Sequence, residues 1–277
     1  MPGIAIVTDG TADIPADLLA QHNIHVVPTY VIIGGKSYID GVDITRKEFY
    51  ESLPFMDPMP TTAAPSSGEF QQVYASLIEQ GYEQILSIHC SSLLSGIYNA
   101  ASIAARAVEN RVQVIDSQSL SLGLGFQVLA AAEATVIHPV ESILNMLNGL
   151  RSRVYVIAML DTLEYVRRSG RVSWARARIG NLLHLKPFIE VKEGNVFSLG
   201  EGRTRQKSMA RLLELVRKLG PLERLAILHS NAEKDAHQIL SELNPQLPTK
   251  PLIVNVTTVI GVHVGPNGLG VAAVVNA

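Results

Sequence analysis

A chain of 277 residues with a formal net charge of -2 is long enough for two domains and carries no basic footprint for nucleic acid. Its single cysteine, Cys90, excludes an intramolecular disulfide framework and fits a reducing compartment, so a cytoplasmic location is expected. No segment reads as a signal peptide, and the most apolar long stretch, Leu120 to Ile137, is broken by Gln127 and Glu133; it reads as a buried helix of small residues, and no integral membrane association is expected.

Ile4 to Thr8 is a short apolar run closed by Asp9-Gly-Thr-Ala-Asp13, with Pro15 placed to open a helix, so the chain begins as strand, loop and helix. Asp9 and Asp13 at the strand's carboxyl end suit a metal or polar ligand, but helix capping is the favoured reading of both. Ile24 to Val27 and Thr29 to Ile33 read as strands, and Gly34-Gly35 turns the second back into Lys36 to Ile39 as a hairpin. Thr45 with Glu48 forms a capping box for a short helix. From Pro54 to Pro65 four prolines argue for a stiff, extended loop without regular structure, and it carries the hydroxyls of Thr61 and Thr62. Ser66 with Glu69 caps the next helix, which runs to Gly81.

Ile85 to Ile88 then reads as a core strand that runs into Cys-Ser-Ser-Leu-Leu-Ser-Gly96 and an alanine-rich helix from Tyr98 to Asn110. In an open α/β sheet a ligand sits at the carboxyl ends of strands, and the free N–H groups of a helix's first turn attract anions. Ser91, Ser92 and Ser95 add up to three hydroxyl donors at that place. A parallel arrangement would bring Thr61 and Thr62 to the same sheet edge. Any one serine, taken singly, reads equally as a helix cap.

Val112 to Ile115 is a further strand, and strands alternating with helices argue for a parallel sheet. His138-Pro139 and one connecting helix place the domain boundary near residue 150, giving domains 1–150 and 151–277. The expected class is α/β, with a mainly parallel sheet flanked by helices in the first domain, a mixed sheet in the second, and a ligand between or beside them. The second half opens with the strand Val154 to Ala158 and then gathers Arg167, Arg168, Arg171, Arg176 and Arg178 around Trp174, either a solvated face or a surface for phosphate or an acidic partner. Glu193-Gly194 signals a hairpin, Gln206 to Leu219 a helix, and Leu225 to His229 a strand; Ser230 with Glu233 signals another capped helix, and Ile253 to Thr258 a strand. Gly261-Val-His-Val-Gly-Pro266 reads as a glycine-shaped loop that places His263 at a ligand. None of the eight histidines has metal-ligand spacing, so no metal and no cofactor are expected.

Met59-Pro-Thr-Thr-Ala-Ala-Pro-Ser66, Ser91-Ser-Leu-Leu-Ser-Gly-Ile-Tyr-Asn-Ala100, Ile115-Asp-Ser117, Ser169-Gly-Arg-Val172 and Gly261 to Pro266 resemble, in order across nearly the whole chain, the motifs of the DegV family of bacterial lipid-binding proteins. The chain departs from the family's usual pattern at Ala63-Ala64, Ile97 and Ser169. The resemblance implies that residues 1–150 are the lipid-binding domain and that a long-chain fatty acid lies in a buried apolar pocket. It assigns the carboxylate to Thr62, Ser92, Ser95, Gly96 and His263. It also implies a carrier with no catalytic residue of its own, which presents the acid to a separate fatty-acid kinase for acyl-phosphate formation, with Arg171 serving that partnership. A rival reading is a serine hydrolase with a turn serine as nucleophile and His263 as base, although the turn is not a nucleophile elbow and no acid stands near His263 in sequence. A phosphate-ligand binding module is the third.

Overall fold

The computed structural model describes residues 3–108, 110–172, 175 and 185–277; Trp174, Arg176 and Arg178 lie outside the described residues. The elements run β1 (Ile4–Asp9), α1 (Ala16–Gln21), β2 (Ile24–Val27), β3 (Tyr30–Ile33), β4 (Lys36–Ile39), α2 (Arg46–Ser52) and β5 (Thr61–Ala63). Next come α3 (Ser67–Glu79), β6 (Gln84–His89), α4 (Ile97–Ala105), β7 (Val112–Asp116), α5 (Ser121–Ala134) and α6 (Val140–Arg151). The remainder comprises β8 (Val154–Met159), α7 (Glu164–Ser169), β9 (Lys186–Lys192), β10 (Asn195–Gly202), α8 (Arg205–Arg217), β11 (Leu222–His229), α9 (Glu233–Leu243), β12 (Leu252–Asn255), α10 (Thr258–Val264) and β13 (Leu269–Val275).

Two compact units result: Met1–Thr29, Ala63–Ser152 and Glu193–Asn195 form the first, and Tyr30–Thr62, Arg153–Lys192 and Val196–Ala277 the second. A single cut at 150/151 therefore does not describe them, because the hairpin, α2 and most of the proline-rich stretch pack with the second unit. That partnership is non-local. The β3–β4 hairpin pairs as Tyr30 with Ile39 through Ile33 with Lys36, as its alternation and Gly34-Gly35 dictate, but which body it joins is set by Tyr50 and Arg46 beyond it.

The first unit holds a parallel four-stranded sheet in the order β2-β1-β6-β7. Its strands read as apolar runs because both faces are covered: Ala5, Ile6, Val7, Ile85, Leu86 and Ile88 are buried. Ile6 lies level with Ile24 on one side and Leu86 on the other. Helix α5 is buried nearly all round, which explains its small residues: a Cβ on Gly125 would stand 2.6 Å from the Ala12 carbonyl oxygen. Since β1 is flanked by β2 and β6, the chain crosses the sheet in opposite directions from β1, and the carboxyl ends of β1 and β6 mark the switch point where ligands of such sheets bind.

The second unit holds a mixed six-stranded sheet, β10-β9-β8-β13-β11-β12, with β11 and β12 parallel and β13 antiparallel to both β8 and β11. Phe188, Leu212, Ile227, Ile239 and Val271 centre its core, to which α8 and α9 contribute their apolar stripes. A separate three-stranded sheet runs β4-β3-β5.

Both N-terminal capping boxes form: Thr45 Oγ1 accepts from Glu48 N and Ser66 Oγ from Glu69 N, with each glutamate bonded back to its cap residue. Three local expectations fail. The proline-rich stretch contains a short 3-10 turn, Leu53–Phe55, and the strand β5, because Thr61 to Ala63 lie between prolines and are free to pair with β3. Ser230 caps no helix; its Oγ accepts from Gly268 N at 2.7 Å, and α9 begins after Ala232 without a side-chain cap. Finally, Gly261 to Val264 are helical rather than a loop. Gly261 is small because a Cβ there would stand 2.6 Å from the Tyr50 hydroxyl, so its glycine reflects close packing and not a turn.

Candidate functional site

At the switch point of the first unit, the turn after β6 is built from backbone and serine hydrogen bonds. Ser91 is its buried hub: its N–H donates to Ser119 O at 2.9 Å, its carbonyl accepts from Leu94 N and Ser95 N, and its hydroxyl donates to Gly194 O at 3.0 Å. Ser92 is exposed, and its hydroxyl and N–H both donate to Asp116 Oδ2, at 2.6 and 3.3 Å. Ser95 is half-buried; its Oγ accepts from Ile97 N at 3.4 Å, and its proton goes to no described group. Of the three hydroxyls expected to serve a ligand, two are thus committed to the protein. Ser92 also stands against a carboxylate, where a second anion would meet like charge. Gly96 is the exposed residue before α4 and offers no side-chain cap.

Beneath this turn lies a network not visible in the sequence reading. Asp9, at the end of β1, binds His89 Nδ1 through Oδ2 at 2.9 Å; His89 Nε2 meets Ser87 Oγ at 2.7 Å, and Ser87 Oγ meets the Tyr74 hydroxyl at 2.8 Å. Asp9 Oδ2 also accepts from Cys90 N, and its Oδ1 from the N–H and hydroxyl of Thr11. All four side chains of the network are buried. Burial alone would raise Asp9, but the bond and charge interaction with His89, then Thr11 and Cys90 N, hold it below the ordinary carboxylate value. Burial pushes the Tyr74 hydroxyl up to about 12 against the opposing bond from Ser87. Burial and the Asp9 charge push the Cys90 thiol far up, so this cysteine is inert. Asp13, the other acid of the β1 loop, accepts from Ser121 Oγ at 2.6 Å.

In the second unit His263 lies on α10, whose start is held from several sides. Asp40 Oδ1 accepts from Thr258 N at 2.7 Å, Arg46 pairs with Asp40 at 3.0 Å and reaches Asn255 O, and the Tyr50 hydroxyl donates to Val256 O at 3.0 Å. This brings His263 Nε2 to 3.3 Å from Thr62 Oγ1 on β5. The other ring nitrogen, Nδ1, is buried without a hydrogen-bond partner among the described residues. Burial, followed by the Arg171 cation, pushes His263 down to about 4, so the ring is neutral at physiological pH. Arg171 is exposed, and its charge reaches this ring. Gly265, with φ of 75°, closes the helix against the Tyr165 ring.

The structure gives no support to the hydrolase reading. No carboxylate orients the second nitrogen of His263 among the described residues, and the run that has acid, histidine and serine in order, Asp9–His89–Ser87, is sealed in the core. No cluster of three or more His, Cys, Asp or Glu able to hold a metal occurs among the described residues, and no described helix is long and apolar enough to cross a membrane.

Residues 3–276 match the family model for DegV, described as an uncharacterised protein of the DegV family. Protein DegV of Bacillus subtilis (strain 168) is 34% identical over 275 residues, covering 97% of this chain and 98% of that protein. Among solved structures, the chain superposes on a DegV family protein from Thermus thermophilus, described for its fatty acid binding, with a TM-score of 0.91 at 34% identity, over 99% of this chain and 100% of that one. It superposes on DegV, a fatty acid binding protein from Bacillus subtilis, with a TM-score of 0.88 at 33% identity over the whole of both chains. With a match to almost its full length in sequence and in fold, this chain belongs to the DegV family.

Proposed function

We propose that this protein is a carrier that binds one long-chain fatty acid and holds its carboxylate at the Thr62–His263 pair. The observation that carries the reading is the Thr62–His263 pair, a hydroxyl and a buried, half-partnered imidazole beside the Arg171 cation, in a chain whose fold is shared with fatty-acid-binding proteins. On the serine turn, Ser95 rather than Ser92 keeps a hydroxyl proton that no described residue takes. Ser92 and Asp116 instead hold the turn in shape. A carboxylate bonded to such groups gains about 1.5–3 kcal/mol per charge-assisted hydrogen bond, enough to orient the head but small beside the burial of an acyl tail.

In this reading the chain carries the acid and a separate fatty-acid kinase supplies ATP and forms the acyl phosphate, since the sequence has no G-x-x-x-x-G-K-[ST] loop to cradle a nucleotide. In this reading the exposed Arg171 serves the developing phosphate as well as the acid.

Thr62→Val tests the head-group assignment, because it removes one hydroxyl and keeps the β-branched shape suited to β5. Affinity for the acid should fall roughly tenfold, the equivalent of one charge-assisted hydrogen bond, with little change for its methyl ester. Equal losses for acid and ester, measured by fluorescence displacement on delipidated protein, would show that Thr62 acts through packing and would remove it from the site.

A further inference from the structure

We infer that the Thr62–His263 site takes up one proton from solution when it receives its acid, so that carboxylate and imidazole share a proton that the empty site does not hold. The inference rests on the head-group reading above and adds to it a proton balance: fatty carboxylate, one proton and empty protein give the complex.

The geometry around His263 carries it. A doubly protonated ring presents two N–H donors, and its described surroundings supply one oxygen, Thr62 Oγ1; the second donor would be a buried charge with no acceptor. The elements packed on α10 are α7, α2 and β3, and β5 brings Thr62. From α7, Glu164 is paired with Arg168 at 2.5 Å, and Tyr165 lies against Gly265; Arg167 adds a further cation. From α2, Arg46 is paired with Asp40, Lys47 lies 4.0 Å from Glu51, Glu48 is bonded to Thr45, and Tyr50 donates to Val256 O. Strand β3 brings Tyr30, and β5 carries no titratable group. None of these elements turns an acid onto the imidazole among the described residues, whereas Arg171 opposes a further positive charge there.

A carboxylate arriving beside Thr62 meets the ring at Nε2, where it accepts from an added N–H, and its negative charge offsets Arg171, so the charge cost that kept the ring singly protonated falls. Whether the proton then resides on the ring or on the acid, the stoichiometry of the pair is the same. The low basicity of His263 in the empty protein, from burial first and Arg171 second, agrees in direction. Binding should therefore weaken roughly tenfold for each unit of rising pH across the neutral range, where the free acid is ionised and the empty ring is neutral.

Calorimetric titration of delipidated protein with decanoate, below its micellar concentration, tests this in phosphate and in Tris at the same neutral pH. The apparent enthalpies should differ by about one proton's worth of the buffers' difference in ionisation enthalpy. His263→Gln, which retains a donor and an acceptor but cannot titrate, should still bind through the tail and should lose that buffer dependence. Equal heats in the two buffers, or a buffer dependence that survives in His263→Gln, would overturn the inference while leaving fatty-acid binding in place. Failure of the delipidated protein to retain any long-chain acid on incubation, read by mass spectrometry, would instead overturn the carrier reading and this inference with it.

Discussion

Replacing Asp9 by alanine should lower the stability of the protein by about 3–5 kcal/mol, since each buried donor left without its acceptor costs about 1–3 kcal/mol. The substitution leaves His89 Nδ1, Cys90 N, Thr11 N and the Thr11 hydroxyl without their shared acceptor, all inside the core and all at the junction of β1 with the serine turn. Because the folded value for Asp9 lies below that of the unfolded chain, its contribution is complete above about pH 4 and is lost as the pH falls through the lower folded value. Denaturant midpoints should show the full deficit of Asp9→Ala at neutral pH and a narrowing gap only in stronger acid. A deficit below about 1 kcal/mol, or one that does not change on acidification, would contradict the assignment of Asp9 as the anchor of this network.

The second large effect concerns the tail. If the acyl chain is buried in apolar surroundings, each methylene contributes ~0.8 kcal/mol before the costs of association and ordering, so shortening the acid by two carbons should weaken binding roughly tenfold. Removal of six carbons should then cost about 5 kcal/mol, more than any single head-group substitution. Dissociation constants for a series of saturated acids measure the slope directly. A flat series would place the tail in solvent and leave the carboxylate as the main determinant of affinity.

Legibility in the sequence followed the range of the interactions concerned. The capping boxes of Thr45 and Ser66 are closed by residues three positions away and were readable, as was the β3–β4 hairpin from Gly34-Gly35. The helix carrying His263 was not, because Gly261 in sequence signals a turn, whereas in space it is a point of contact with Tyr50, more than two hundred residues away along the chain. The Asp9–His89 pair joins residues 80 positions apart and has no local signature. The clustered serines read as a hydroxyl-rich turn at a ligand, but the sequence could not show that Ser92 spends its proton on Asp116, 24 residues on, or that Ser91 turns inward to Gly194. Thr62 was found as a hydroxyl on a constrained segment, though its support is a three-residue strand too short to have a periodicity.

The most direct measurement is mass spectrometry of an organic extract from protein purified after expression in bacteria and freed of loosely bound lipid. The account predicts about one long-chain fatty acid per chain, released on denaturation and regained by delipidated protein on incubation with the free acid. Protein that carries none and rebinds none, while remaining folded, would contradict it.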